Sequence, residues 1–261
     1  MALPQHRRAA VLSYAPLKRR GAAGSVARVV GGDGRRADGR SLEESRPAFL
    51  RTKTVTQAAG SAYAEFGGTK VIVAVFGPRE SRKAEQSMGG KGRLKCDVRI
   101  APFATPNRNS NAQGLEERYA SEVEGALLPA VQLHLFPKAT LDVSVLLLQS
   151  GGADVAVMMT AAAMALADAG VHLHDLVTAA VVSVCRGDLL LDPSAEEERV
   201  EEGRVVVALM PSLSEVVLCS VTGNMSVKRV KDAVDLAIAG CMRLDEVVRA
   251  TVRDEAAAAV M

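Results

Sequence analysis

LDVSVLLLQSGGADVAVMMTAAAMALADAG, residues 141–170, joins three different local patterns without a break. An apolar run at 141–148 has the length and β-branched content of a buried strand. Gly151-Gly152 ends it, and 154–169 is a helix of small residues closed by Gly170. A glycine turn feeding a helix start is a ready anion seat, because unpaired N–H groups and the helix dipole converge there. The turn continues, however, as Ala153-Asp154. A carboxylate in the first turn stabilises the helix by a few tenths to about 1 kcal/mol, but it repels phosphate. The stretch has the architecture of a phosphate site without residues that attract phosphate.

Outward from this unit, strands and helices keep interleaving. Upstream, 52–58, 61–66 and 69–76 alternate or run apolar between glycines, and Gly77-Pro78 is expected to end the third strand. A polar, basic loop covers 79–92. Residues 93–101 then place Leu94, Cys96, Val98 and Ile100 opposite Lys95, Asp97 and Arg99, with a period of two. After a second polar loop at 102–114, Leu115, Tyr119, Val123, Leu127 and Ala130 share one face of a predicted helix over 115–131. Downstream, strands are predicted at 176–185, 189–191, 204–210 and 215–221. Ser226 caps a long terminal helix whose stripe is Val227, Val230, Val234, Ala237, Cys241, Leu244 and Val248. Strands in runs with helices interposed predict a mixed α/β domain over 38–261. Residues 1–37 hold Arg7-Arg8, Lys18-Arg19-Arg20 and Arg35-Arg36 with no apolar period, and read as a disordered basic arm. An address signal and an RNA-contacting tail fit that arm equally well.

Composition narrows the function classes. Residues 1–108 carry 21 Lys+Arg against 8 Asp+Glu, and 109–261 carry 11 against 22, so a net charge of +2 conceals a division. A basic first part facing a polyanion is one reading, and a basic tail beside an acidic face is the other. Cys96, Cys185, Cys219 and Cys241 form no CxxC pair, which argues for isolated thiols in a reducing compartment. His172 and His174 have no third ligand nearby, and no metal or cofactor site is expected. No run has the ~18 uncharged apolar residues of a membrane span.

Several blocks together resemble the RNase PH family, which includes phosphorolytic exoribonucleases and the ring subunits of the RNA exosome. They are Asp38-Gly39-Arg40, GSAYAEFGGTKVIVAVFGPRES (60–81), GRLKCDVRIAPFA (92–104), FPKATLDVSVLLLQSGG (136–152), ALADAG (165–170), LLDP with EEE (190–198) and VALMPS (207–212). The resemblance implies an RNase PH-like fold, a mixed β-sheet with packed helices of the ribosomal protein S5 domain 2-like type. It also implies that active members hold phosphate with a Gly-Gly-Thr-Arg turn, where this chain has Ala153 and Asp154. Replacing a cation by an anion changes the local charge by two, and at an effective dielectric near 20 each pair ~4 Å apart amounts to at most ~4 kcal/mol.

Two carboxylates of active members resemble Asp192 and Glu198, able to hold a metal or to act as general acid. Without a phosphate grip, these acids read as an acidic loop opening a solvated helical turn. The resemblance further implies basic residues facing an RNA passage, here Arg79, Arg82, Lys83, Arg108 and Arg118, with contacts to phosphates rather than bases. The functional expectation is a non-catalytic exosome ring subunit. It would be flanked by other RNase PH-like subunits and RNA-binding cap subunits, contact RNA but no membrane, and lie in nucleus, nucleolus and cytoplasm. The competing expectation is an active phosphorolytic 3′-to-5′ exoribonuclease.

Overall fold

The computed structural model describes residues 11–15, 35–80, 92–105 and 112–258. One five-stranded sheet contains β2 (Ala48–Thr52), β3 (Gly60–Phe66), β4 (Thr69–Glu80), β6 (Ala139–Gln149) and β5 (Arg93–Ile100), in that spatial order. A second has the order β1 (Val11–Ala15), β10 (Glu215–Gly223), β9 (Gly203–Met210), β7 (Thr178–Cys185) and β8 (Asp188–Leu191). Most neighbours are antiparallel, whereas β5 runs parallel to β6 and β1 parallel to β10.

Helix α2 (Asp154–Asp168) lies between the sheets, against β3 and β4 on one side and β7 on the other. This position explains its composition. Every residue from Asp154 to Leu166 is buried, and a helix enclosed on all sides needs small or apolar residues around its whole circumference. Its contact with β3 is close enough that a Cβ on Gly60 would meet the Ala169 nitrogen at 2.2 Å. Asp168 accepts the Ser61 N–H at 2.9 Å and ties the far end of α2 to the same strand. Helix α1 (Ala112–Leu127) packs on β5 and α2, and α4 (Val227–Ala258) covers the outer face of β7 and β9. Strand β7 is therefore buried along its whole length between two helices, which accounts for a sequence, TAAVVSVC, of small and apolar residues without a charge.

Several expectations are corrected here. The alternation at 52–58 does not mark a strand: β2 precedes it, and Thr52 pairs with Ala62. Beyond Thr52, Lys53 turns to φ 54°, and the Val55 N–H donates to the Ser61 hydroxyl at 2.9 Å, so local bonds replace the ladder. Gly77-Pro78 does not end β4 either. The register with β6 shifts between Phe76 and Arg79, and this irregularity accommodates a residue with no N–H. Helix α1 starts and ends earlier than 115–131. On α4, Ala237, Cys241 and Val248 are fully buried as expected, whereas Val227 is exposed, Val234 is half-buried and Ala233, outside the expected stripe, is fully buried. Within the arm, Val11–Ala15 forms β1 and Arg36 is buried, so order begins before residue 38. All four cysteines are buried and free, and burial pushes the Cys96, Cys185 and Cys241 thiols up to about 12.

Candidate functional site

The start of α2 meets two loops from opposite halves of the chain. Ala153, the residue before the helix, has a left-handed φ of 50° and no side-chain cap. Gly151 and Gly152 precede it, and the Ala195 N–H donates to the Gly151 carbonyl at 2.7 Å. This bond fastens the loop after β8 to the turn. That loop carries Asp192 and the short helix α3 (Ala195–Glu198), which is closed by a capping box between Ser194 and Glu197. The next residue, Glu198, is thereby turned toward α2.

Arg46 holds these pieces together. Its Nε donates to Asp192 Oδ2 at 2.9 Å and its Nη2 to Oδ1 at 2.6 Å, a two-pronged pair. The Arg46 backbone N–H donates to the same carboxylate at 2.8 Å. The remaining guanidinium donors reach the Gly151 carbonyl at 3.1 Å, the Gly152 carbonyl at 2.8 Å and Thr69 Oγ1 at 3.2 Å. Thr69 in turn donates to the Gly152 carbonyl at 2.7 Å and accepts the Gly151 N–H at 3.1 Å. Both the retained aspartate and the retained glycine turn are thus bonded inside the protein. Arg36 and Arg40 back this arrangement, each donating to the Asp192 carbonyl, at 3.3 and 3.2 Å.

Asp154 is buried beside the turn. Its Oδ2 accepts the Ser150 hydroxyl at 2.6 Å, and its Oδ1 lies 3.3 Å from Thr69 Oγ1. Glu198 Oε1 accepts the Ala153 N–H at 2.8 Å and pairs with Arg204 Nη2 at 2.7 Å. Burial pushes the Asp154 carboxyl above the usual carboxylate range. The Glu198 charge adds to this, against the Ser150 hydroxyl, Thr69 and Arg46. Burial and the same two acids push the Tyr119 hydroxyl up.

A carboxyl whose folded pKa is raised stabilises the fold in its neutral form, and that contribution is lost as pH rises through the raised value. Asp154→Asn removes the ionisation. Its stability relative to the unmodified protein should therefore improve steadily as pH rises from about 4 to neutrality. Urea midpoints across that range check the sign, and a difference that moves toward Asp with rising pH would contradict it.

The structure brings Ala153, Asp154, Asp192 and Glu198 into one cluster, but corrects the picture of a solvated acidic turn. Asp192 and Glu197 are 8% and 5% exposed, with cations against both. Arg79 and Arg118 are elsewhere on the surface, paired within the chain to Asp142 and Glu122 at 2.7 and 2.8 Å. Arg82, Lys83 and Arg108 lie outside the described residues. Sequence reasoning missed Arg46, Thr69 and Arg204. Arg204 carried a faint signal, since it is the one charge in β9, directly ahead of the apolar run 205–210. Arg46 carried none.

Residues 44–172 match the model of the 3′ exoribonuclease family, domain 1, and residues 175–240 match that of domain 2. The two matches meet between α2 and β7, the boundary across which Arg46 and Asp192 join. Human exosome complex component MTR3 is 44% identical over 236 residues, 82% of this chain and 86% of its own. An exosome complex component RRP41-like protein of Arabidopsis thaliana is 42% identical over 226 residues, 87% of each. The crystal structure of rice (Oryza sativa) Rrp46 superposes with a TM-score of 0.73 at 25% identity, over 83% of this chain and 100% of that one. The motif blocks, the two-sheet fold and these matches agree: the chain belongs to the RNase PH, or 3′ exoribonuclease, family.

Proposed function

We propose that this chain is a non-catalytic structural subunit of the RNA exosome core ring. In this reading it supports 3′-to-5′ RNA processing and degradation by forming part of the RNA-conducting channel. Other RNase PH-like subunits flank it, RNA-binding cap subunits sit above it, and the assembly works in nucleus, nucleolus and cytoplasm. Among basic residues, Arg79, Arg82, Lys83, Arg108 and Arg118 are the candidates for RNA contact. Such contacts add salt-sensitive affinity without sequence preference.

The observation that carries the reading is Asp154, an acid buried in the first turn of α2 where a phosphate-dependent enzyme needs a cation. The attacking ion would face a carboxylate, and the nearby Arg46 has every donor engaged with Asp192, Thr69 and the turn. Asp192 is likewise committed to Arg46 and unavailable as a free general acid. Similarity to proteins named as exosome components supports the assembly half of the reading.

The second reading, an active phosphorolytic 3′-to-5′ exoribonuclease, draws on the retained Asp192 and on similarity to an RRP41-like protein. One assay separates them. Purified protein incubated with labelled RNA, magnesium and inorganic phosphate should release no nucleoside diphosphate above a protein-free control. Processive or distributive release of nucleoside diphosphates from the 3′ end would establish the second reading.

A further inference from the structure

Three of the four sheet edges in the fold carry protection of their own. Strand β5 places Lys95, Asp97 and Arg99 along its length, and Glu116 and Glu124 of α1 accept its Ile100 and Cys96 N–H groups, at 2.8 and 3.4 Å. Strand β2 is five residues long, includes Arg51, and gives its Thr52 N–H to Glu255 of α4. Strand β8 is four residues long, and its Leu191 N–H donates to the Leu42 carbonyl at 2.9 Å. Charge, brevity and N–H groups bonded from outside the sheet keep an edge from pairing with other chains. Strand β10 is different. It runs for nine residues, and its stretch Val-Val-Leu-Cys-Ser-Val-Thr, 216–222, has neither charge nor proline. Uncovered, such an edge is a template for any extended, β-prone segment.

What covers it is β1. The two strands pair in parallel, from Val11 on Leu218 to Ala15 on Thr222. The other strands of this sheet follow one another over short connections, such as Pro211–Ser214 between β9 and β10. Strand β1, by contrast, is separated from the next described residue by positions 16–34. It also lies outside both family matches, 44–172 and 175–240, the second of which includes β10. The matched domains thus supply the edge but not the strand that covers it. A chain as long as 16–34 spans up to roughly 60 Å when extended, enough to carry β1 to another molecule. Exchange of an identical strand between copies preserves every pairing.

We propose that the outer edge of β10 is a strand-acceptor site, filled by residues 11–15 of the arm and open to the same strand from a second copy of this chain. The occupant it fits is an extended, uncharged segment running parallel to β10 and held by main-chain hydrogen bonds. Within one chain the tether keeps β1 at a high effective concentration, so a free strand competes poorly until β1 leaves the edge. The arm then guards an adhesive edge, whatever address or RNA contact its basic residues provide.

The test uses the full chain beside its variant Leu12→Pro with Ser13→Pro, in which β1 loses ladder N–H groups. The probe is a fluorescent peptide of residues 9–17, followed by anisotropy. The variant should bind it saturably and at least roughly ten times more tightly than the unmodified protein, whose own arm competes. A peptide carrying the same two prolines should not bind. Refolded from urea at high concentration, the unmodified protein should include a dimer in light scattering that the variant lacks.

No saturable binding to a folded variant would overturn the proposal, as would equal binding by the unmodified protein. Monomer alone after concentrated refolding would overturn exchange between copies. Should the variant not fold, amide exchange in the unmodified protein decides. The amides of β1 should be protected, yet exchange at least roughly ten times faster than the interior of β9, because β1 opens without the rest of the sheet. Free-amide rates in β1, or rates as slow as those of β9, would overturn the proposal. None of these readouts involves RNA, so turnover in the assay above would count against the functional reading and not against the acceptor edge.

Discussion

Arg46→Met should cost about 3–5 kcal/mol of folding stability, the usual range when one partner of a buried ion pair is removed. Three separate losses combine. The Asp192 carboxylate, 8% exposed, is left without its two-pronged partner. The Gly151 and Gly152 carbonyls lose guanidinium donors at 3.1 and 2.8 Å. The connection between the two family domains loses its central side chain. Lysine cannot repair this, because a single ammonium does not reproduce the planar fork that spans Asp192 and the turn.

Asp192→Asn placed on top of Arg46→Met should recover part of the loss, since the orphaned charge is then gone. The pair should be clearly non-additive in a double-mutant cycle. Urea denaturation followed by circular dichroism measures all three variants. A loss below 1 kcal/mol for Arg46→Met would mean that the network is incidental to the fold.

Gly152→Ala should destabilise by roughly 3–5 kcal/mol, combining a strained backbone with a collision that no rotamer relieves. Gly152 has a φ of 104°, which side chains disfavour. A Cβ there would lie 2.4 Å from the Pro193 carbonyl oxygen and 2.6 Å from the Ser194 carbonyl carbon. Both obstacles are backbone, so the loop itself must retreat. That movement would pull Glu198 away from Ala153 and Asp192 away from Arg46. Gly39→Ala is the natural comparison. It has a positive φ of 85°, yet nothing lies within 4 Å of its added Cβ, so it should show conformational strain alone. Equal losses for the two variants would indicate that packing at the turn contributes nothing.

The parts of the fold legible in sequence were those with a local pattern. The unit at 141–170 was readable because strand, glycine turn and enclosed helix each leave a separate signature. Strand β5 was readable because its two faces meet different surroundings, giving the burial alternation that the residues display. At 52–58 the same alternation misled: Thr-Lys-Thr-Val-Thr has a strand's period, but the Ser61 hydroxyl and Lys53 turn the chain there. Pro78 misled in the other direction, because a proline at a register shift does not interrupt pairing.

The site was legible only in half. Ala153 and Asp154 could be placed because helix starts are identifiable, and Asp192 and Glu198 because they sit in a recognisable family block. Arg46 could not, because its partners are 23, 105, 106 and 146 residues away along the chain. A lone arginine between Ser45 and Pro47 has no period to betray burial. The acids of α3 were read as solvated for the same reason. Nothing adjacent to Glu197 or Glu198 reveals that Arg36 and Arg204 will cover them. Charges neutralised by distant partners are the features that single-sequence patterns cannot carry.

In the proposed reading, the protein's own groups close the α2 start electrostatically to phosphate. Phosphorus NMR of inorganic phosphate titrated with the unmodified protein tests it most directly. The phosphate resonance should stay unshifted and unbroadened at every protein concentration in physiological salt. A saturable shift that disappears on Arg204→Met would put a phosphate ion at that helix start and contradict it.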